Sequence, residues 1–394
     1  MTPSPPRLPP FWLIVLGSWI APFSMHIVIP MMPSMAREFG TDFAAAQGTL
    51  TAFLVGIAVG QLISGPISDR IGRRPVLLAG LSLYLLAAVG CALATSIEAL
   101  VLLRFVQGST GCAGLVLGRA IIRDCHERDR AASLIGYVTT VMAAGAAFSP
   151  LAGALAVEYA GWRTVFVVLA GLATLIVGCG YFWLNETNHD RLPGGGGVVR
   201  IATNYLTLLR SPRFVCYSMC GVFSLAGWYA FVAGAPYVLT NILGLPPIAY
   251  GKFILFVVAG YSIGSFAAGR LSVRFGGERM LVIGQSIVLA ATAVQLGFWF
   301  GGILSPLALF LPMMVVTIGA GMFLPNATAG AISVVPGLAG SASGMTGFLQ
   351  MGFGALCTIA IGAWLRDSEG PLILTMAAMA LASLLSLIAL RFTR

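Results

Sequence analysis

The chain has 394 residues, of which 58% are hydrophobic and only 9% are charged, and its formal net charge is +9. An ordinary soluble domain has about a quarter of its residues charged, so this composition excludes a water-exposed globule. A mean hydropathy of +0.94 and 49 glycines instead indicate a protein embedded in a membrane, where glycine is more frequent than in soluble helices.

Twelve apolar segments of spanning length follow one another along the chain. A bilayer core of roughly 30 Å needs about 20 apolar residues per helix. Eleven segments free of Asp, Glu, Lys and Arg lie near 11–32, 48–68, 75–97, 131–157, 164–184, 214–242, 253–269, 280–304, 305–331, 339–365 and 370–390. A twelfth segment, 99–118, is apolar except for Arg104. None shows the period-two alternation of barrel strands, so we predict an all-α integral membrane protein with twelve transmembrane helices.

The distribution of cationic residues predicts the orientation of these spans. With a cytoplasmic N-terminus, 17 arginines fall on the cytoplasmic side, four Arg or Lys residues fall outside, and Arg104 lies within a span. Such an excess marks the cytoplasmic side, so both termini are expected there. The net positive charge is then explained by the topology and by attraction to anionic lipid headgroups. Nucleic-acid binding is not needed to explain it. The N-terminus lacks a cleavable signal pattern, so the first span is expected to remain as an anchor.

The chain is predicted to form two six-helix bundles, residues 1–184 and 214–394, joined by a cytoplasmic linker, residues 185–213. The linker contains the glycine run 194–197. An internal repeat supports this division, because residues 65–72 (GPISDRIG) resemble residues 269–276 (GRLSVRFG) at a constant offset. Both copies follow the second span of their half, as expected of duplicated bundles.

The sequence predicts neither a metal centre nor an enzyme. The seven cysteines include no CxxC pair. Cys216 and Cys220 share a helix face but have no His or carboxylate neighbour, which makes them a poor metal site. There is no HExxH motif and no pair of carboxylates within the spans. An intramembrane enzyme or a receptor is therefore disfavoured, and no cofactor is expected.

The turn between the second and third spans reads GPISDRIGRRP over residues 65–75. It is either a cationic anchor or a latch in which Asp69 faces a helix end or an arginine of the opposite half. The turn resembles the G-x-L-x-D-R-x-G-R-[KR] signature of the major facilitator superfamily, with Ile67 in place of Leu, and this resemblance favours the latch. The predicted cytoplasmic gate residues are Gly65, Asp69, Arg70, Gly72, Arg73 and Arg74.

Three further motifs are similar to the bicyclomycin and chloramphenicol resistance subfamily of drug/proton antiporters. They are LRFVQG at 103–108 with GRAIIRD at 118–124, SPLAG at 149–153 before GWR at 161–163, and GSASG at 340–344 with FLQ at 348–350. The resemblance implies a rocker-switch exporter whose central cavity is lined mainly by spans one, four, seven and ten. It also implies an antiporter motif in span five, where Gly145, Pro150 and Gly153 are expected to produce a bend and a close helix contact.

Arg104 is the strongest candidate for a functional side chain. An arginine near a span centre costs about 3 kcal/mol on insertion scales and is usually retained for function. The alternative is that Arg104 snorkels toward the outer surface, since it lies only about five residues inside the span. The resemblance implies that Arg104 takes part in coupling proton and substrate movement. Gln107 lies one turn further on the same face and is a candidate substrate ligand.

The first span departs from the subfamily pattern. Relatives commonly have Asp-x-x-x-Pro there, whereas this chain has His26 four residues before Pro30, and all thirteen Asp and Glu residues fall in predicted loops or span ends. Histidine has an unperturbed pKa of about 6.5, so His26 is a candidate proton carrier; alternatively it hydrogen-bonds a neighbouring helix. A cavity containing Arg104 and His26 is expected to favour neutral or anionic cargo over lipophilic cations.

The predicted function is therefore a proton-coupled exporter of amphipathic small molecules in the bacterial inner membrane. Its expected partners are a small-molecule substrate, protons and membrane lipid, with no nucleic acid, and the chain is expected to be a monomer. An alternative cargo is an endogenous metabolite or organic anion such as a siderophore. Weaker candidates for the cavity wall, which could equally be packing residues or interface anchors, are Trp19, Tyr229, Tyr261 and Asn326.

Overall fold

The computed structural model describes residues 9–126, 128–188, 198–335, 338–366 and 368–393, and this part of the chain is helical apart from short connections. Its fourteen α-helices are α1 Phe11–Ile27, α2 Met32–Glu38, α3 Phe43–Ile71, α4 Arg73–Leu93, α5 Ile97–Cys125, α6 Arg128–Tyr159, α7 Arg163–Trp183, α8 Val198–Leu209, α9 Pro212–Tyr237, α10 Ile248–Phe275, α11 Gly277–Phe300, α12 Pro306–Ser333, α13 Ala339–Trp364 and α14 Gly370–Leu390. A 3₁₀ turn, Ile29–Met31, joins α1 to α2, and a π-helical turn, Val238–Ile242, extends α9.

The described helices match the predicted spans. Eleven helical segments are long and apolar enough to cross a membrane, and the first of them runs through α1 and α2. The remaining long helix, α6, has 32 residues and occupies the fifth predicted span. The twelve-helix prediction is confirmed. The additional helix α8 lies within the predicted linker, whose glycine run falls outside the described residues.

Serine residues mark where several spans begin. The side chains of Ser96, Ser211 and Ser305 accept hydrogen bonds from the third backbone N–H of α5, α9 and α12, respectively. Such caps satisfy a donor that the helix itself leaves unpaired. Proline follows Ser211 and Ser305 directly, and its fixed φ suits the first helical position. The cap at Ser305 explains how the long apolar stretch 280–331 is divided into two helices.

The helices form two compact units. The first contains Met1–Val28 and Ala52–Gly195, and the second contains Ile29–Thr51 and Gly196–Arg394. The segment Ile29–Thr51 packs within the second unit, where Phe43 lies 4.6 Å from the ring of Tyr237 and the hydroxyls of Thr51 and Thr358 are 2.6 Å apart. The division into bundles 1–184 and 214–394 with a linker between them remains a prediction.

Glycines set the helix spacing in the first unit. A Cβ added to Gly56 in α3 would overlap the backbone of Phe105 in α5, and one added to Gly114 in α5 would overlap the carbonyl of Gly17 in α1. Small residues allow such close approach between membrane helices. The two contacts hold α1 and α3 directly against α5, which brings polar side chains of α1 within reach of Arg104.

The internal repeat corresponds to two equivalent turns. Gly72 separates α3 from α4 with a φ of 120°, and Gly276 separates α10 from α11 with a φ of 81°. Positive φ favours glycine because residues with a Cβ are strained there. The same offset that relates the sequence copies therefore relates two sharp helix–helix turns, one in each unit.

Candidate functional site

Arg104 belongs to the first unit and is completely buried. Its Nη1 donates to Ser24 Oγ at 3.1 Å and to Gln107 Oε1 at 2.5 Å, and its Nη2 donates to the Ser24 carbonyl at 3.4 Å. The guanidinium stacks on Phe53, with 3.9 Å from Cζ to the ring centroid. The side chain therefore does not snorkel; α1, α3 and α5 hold it inside the bundle.

Several hydrogen-bonding groups around this arginine have no partner. They are Arg104 Nε, Gln107 Nε2 and the hydroxyl of Tyr84, and all three are buried. Tyr84 comes from α4 and lies beside Ser24 and Gln107. Buried polar groups are normally satisfied, so an unsatisfied set around a buried charge indicates a site for something polar.

His26 lies two residues beyond Ser24, near the end of α1, and is buried. Its Nδ1 is 2.8 Å from the Pro22 carbonyl oxygen. A carbonyl only accepts, so Nδ1 carries a hydrogen and Nε2 is the atom that can gain or lose a proton. The alternative expectation, a bond to a neighbouring helix, does not describe this contact, because Pro22 belongs to the same helix.

Trp19 and the predicted antiporter motif meet in the first unit. The indole of Trp19 stacks on Phe23 at 4.1 Å, and a Cβ on Gly145 would overlap the indole nitrogen. Pro150 lies inside α6, and Gly153 is buried. Gly145 thus provides the close contact expected of this motif, here against a predicted cavity residue of α1.

The predicted cavity residues of the second unit have separate surroundings. Tyr229 donates its hydroxyl to the sulfur of Met351 at 3.4 Å and is buried, whereas Tyr261 on α10 is half-buried. Asn326 donates to the Met322 carbonyl and accepts from Ser272 at 3.2 Å, so its amide ties α12 to α10. The hydrogen bonds of Tyr229 and Asn326 are to different residues, and the place of all three side chains in a cavity remains a prediction.

The α3–α4 turn contains an ionic network within the first unit. Arg73 Nη1 donates to Asp69 at 2.5 Å, and Arg73 Nε donates to Asp124 at 3.0 Å. Arg74 donates to the Tyr181 carbonyl at 2.8 Å, while Arg70 is exposed. Within the first unit the partner of Asp69 is Arg73, four residues away on the same turn; the expectation that Asp69 faces a helix end or an arginine of the opposite half remains a prediction.

Glu186, which follows α7, is a member of this network that the sequence did not reveal. Its carboxylate accepts from the backbone N–H groups of Arg73 at 2.8 Å and Arg74 at 3.3 Å. Partial burial alone would raise its pKa, but hydrogen bonds from the backbone of Asn188, Arg73, Arg74 and Thr187 outweigh burial and lower it. The carboxylate occupies the N-terminus of α4, where the helix dipole also favours negative charge.

Known proteins resemble the chain along nearly its whole length. The model of the Major Facilitator Superfamily matches residues 14–357. The bicyclomycin resistance protein homolog of Haemophilus influenzae is 28% identical over 387 residues, which are 95% of this chain and 94% of that relative. The multidrug resistance protein D of Escherichia coli is 30% identical and covers 88% of this chain and 87% of its own.

A solved structure has the same fold. The crystal structure of a D-xylose–proton symporter superimposes with a TM-score of 0.76 and covers 95% of this chain and 96% of its own. Only 15% of the aligned residues are identical. At that identity the likeness concerns the helical arrangement alone.

Proposed function

We propose, from the premise that the chain belongs to the major facilitator superfamily, that it is a proton-coupled secondary exporter of amphipathic small molecules. The resistance proteins of Haemophilus influenzae and Escherichia coli support this proposal, because both match almost the whole chain. We place the protein in the bacterial inner membrane as a monomer, with both termini in the cytoplasm.

The buried charge of Arg104 is the observation that carries the proposal. Arg104 is completely buried among Ser24, Gln107 and Phe53, and none of the described carboxylates pairs with it. A charge in the interior of a membrane protein is expensive and usually marks a transport pathway. Because the charge is positive and unpaired, the site favours neutral or anionic cargo over lipophilic cations.

His26 is the proposed proton carrier. Its Nδ1–H is engaged by the Pro22 carbonyl, so protonation and deprotonation take place at Nε2 without breaking that bond. His26 and Ser24 belong to the same helix, α1. A proton on His26 therefore places a second positive charge on the helix that supplies Ser24 to Arg104, and this charge opposes the binding of cationic cargo.

A transport assay tests the role of His26. In proteoliposomes with an imposed pH gradient, His26→Ala is expected to abolish the gradient-driven component of cargo transport while leaving exchange without a gradient. His126→Ala is the matched control, because His126 makes the same kind of contact, 3.2 Å from the Ile122 carbonyl four residues earlier. Undiminished proton-driven transport by His26→Ala would exclude His26 as the carrier.

A second cargo class is an organic anion such as a siderophore. The unpaired guanidinium of Arg104 favours it, because carboxylates are natural ligands of arginine. Competition between neutral and anionic compounds for binding to the purified protein separates the two classes.

The α3–α4 turn is the proposed cytoplasmic latch. Asp69, Arg73 and Asp124 form the ionic part of it, and Gly72, with its positive φ, forms the turn between the two helices.

A further inference from the structure

The second unit contains a cavity of about 40 Å³ between α9, α11, α12 and α14. Part of its wall is apolar and includes Trp228, Met313 and Met376. The polar side chains in the wall are Ser224, Gln285, Thr292, Thr317 and Ser383. Gln285 and Ser383 are each 1% exposed, so this polar part of the wall is buried within the unit.

The internal repeat identifies the counterpart of this cavity in the first unit. Gly56 and Gly260 stand equally far before the two turns of the repeat. A Cβ added to Gly56 would overlap the carbonyl of Phe105 in α5. A Cβ added to Gly260 would overlap the carbonyl of Met314 in α12. Phe105 and Met314 are therefore equivalent, and so are the residues that precede them.

The cavity occupies the position that Arg104 and its neighbours fill in the first unit. Met313 replaces Arg104 in the wall. Val288 replaces Tyr84, since it lies as far beyond the second turn of the repeat as Tyr84 lies beyond the first. Methionine and valine are smaller than arginine and tyrosine, so the exchange leaves space among the helices of the second unit.

The wall of the cavity differs between the units in the opposite sense. Gln285 in α11 stands where α4 has Leu81. Ser383 in α14 stands where α7 has Ile176, because the two helices have the same length and bury corresponding positions. Polar groups thus lie at the centre of this arrangement in the first unit and in the wall around a cavity in the second.

The polar wall has hydrogen-bonding capacity beyond its own contacts. The amide of Gln285 donates to the Ala380 carbonyl at 2.8 Å and accepts from Ser383 at 3.1 Å, which leaves one N–H and one lone pair. The Thr292 hydroxyl donates to the Val288 carbonyl at 2.8 Å, and its oxygen accepts no bond from the described residues. A ligand that completes this wall must therefore both donate and accept.

A second buried amide on the same helix also calls for a polar ligand. Gln295 lies one turn beyond Thr292 on the same side of α11. It is 1% exposed, and neither its amide oxygen nor its amide nitrogen has a partner among the described residues. Buried polar groups normally bond to protein or to ordered water. This side of α11 is thus completed by a ligand that can reach both residues.

The charge and the size of the cavity define that ligand. The described residues that line the cavity include no Asp, Glu, Lys, Arg or His, so the ligand is neutral. A buried water needs roughly 10–15 Å³ of such a cavity and takes two to four polar partners. The cavity therefore has room for about three water molecules, each of which donates and accepts.

We propose that the second unit binds a cluster of about three water molecules between Gln285, Thr292 and Ser383. The cluster completes the hydrogen bonding of the polar wall at the position where the first unit has its buried arginine. The inference concerns neither the cargo nor the coupling proton, so it goes beyond the proposed function and stands independently of it.

X-ray radiolytic labelling of the purified full-length protein tests the proposal. Irradiation converts ordered water into hydroxyl radicals, which oxidise a neighbouring methionine to its sulfoxide. Met313 and Met376 line the cavity and are 1% and 4% exposed. Met280 on α11 is 0% exposed and lies in an apolar cluster. We expect Met313 and Met376 to be oxidised several-fold faster than Met280.

A double variant gives the cavity the wall of the first unit. Gln285→Leu combined with Ser383→Ile installs the residues of α4 and α7 and should reduce the oxidation of Met376 to background. Thr292→Val keeps the shape of the side chain, removes one hydroxyl and should reduce the oxidation part-way. Ser262→Ala is the control, because it removes an exposed hydroxyl of α10 and should leave the oxidation unchanged.

The proposal fails if Met313 and Met376 are oxidised no faster than Met280, because the cavity is then dry or filled by lipid or detergent. It also fails if the double variant is oxidised as fast as the wild type. Should the double variant not fold, Thr292→Val decides in the same way, and an undiminished rate in that variant overturns the proposal.

Discussion

At the scale of single residues, the first span and Arg104 explain why this chain should differ from relatives that have an acidic first span. His26 occupies the position four residues before Pro30 where that acid is expected, and it is bonded to Pro22 rather than to a carboxylate. Arg104 is held by uncharged groups. The buried charge of this region is therefore positive whether His26 is neutral or protonated.

The variant His26→Asp should reverse the charge preference. A carboxylate at this position would attract lipophilic cations, and we expect at least about a tenfold gain in tetraphenylphosphonium affinity, the size of one charge-assisted interaction. His126→Asp, at the end of α5, is the control and should change nothing. Binding is measured by competition on the purified protein, and an unchanged cation affinity in His26→Asp would contradict the charge argument.

Sequence reasoning found Arg104, Gln107 and His26 because charged and polar residues are rare within spans. It missed Ser24 and Tyr84, since serine and tyrosine are common in membrane helices and only the packing of α1 and α4 against α5 brings them to Arg104. Ser24 and Arg104 are 80 residues apart in the chain, so their contact cannot be read from the sequence.

At the scale of helices, the α3–α4 turn is stabilised by a carboxylate far away in the chain. Gly72 offers no side chain to cap α4, and Glu186 supplies the acceptor for the backbone of Arg73 and Arg74. The family signature identified the turn but not this partner, because Glu186 lies 113 residues beyond Arg73 in the chain.

The variant Glu186→Gln should lower stability by about 1 kcal/mol at neutral pH, the typical value of a lost helix cap. The pKa of Glu186 is lowered in the folded protein, so its contribution is present above its unfolded pKa and is lost as the pH falls through the folded pKa. The wild type should therefore lose the stability contributed by Glu186 as the pH falls below about 4.5. The Glu186→Gln variant should show no such loss. The measurement is the unfolding temperature of both proteins as a function of pH.

Glu98→Gln is the control for this prediction. Glu98 also lies in the first turn of a helix, α5, but Ser96 already caps that helix. An acid profile that changes equally in the two variants would show that the Glu186 cap is not responsible.

The contact between α1 and α6 depends on a glycine of the predicted antiporter motif. Gly145→Ala would force the indole of Trp19 to move, and overpacking of this kind costs about 1–3 kcal/mol. Gly171→Ala in α7 is the control, because a Cβ there meets open space and alanine favours the helix by up to about 1 kcal/mol. Thermal unfolding compares the two; equal stability would contradict the packing argument.

At the scale of the whole molecule, composition and hydropathy were sufficient to predict twelve helices, because membrane spans must satisfy their own backbone hydrogen bonds. The repeat at constant offset likewise predicted two equivalent turns, now located at Gly72 and Gly276. The grouping of Ile29–Thr51 with the second unit was not predictable, since it depends on specific contacts such as Thr51 with Thr358. The role of Asn326 in tying α12 to α10 was equally invisible.

The most direct test of proton-coupled export is cargo-driven proton movement in proteoliposomes that contain a pH-sensitive dye and the wild-type protein. With no pH gradient at the start, an imposed gradient of a neutral compound such as chloramphenicol, or of an anionic amphiphile, should drive protons in the opposite direction. His26→Ala should abolish this flux. Proton movement driven only by tetraphenylphosphonium, or by none of the compounds, would contradict the account.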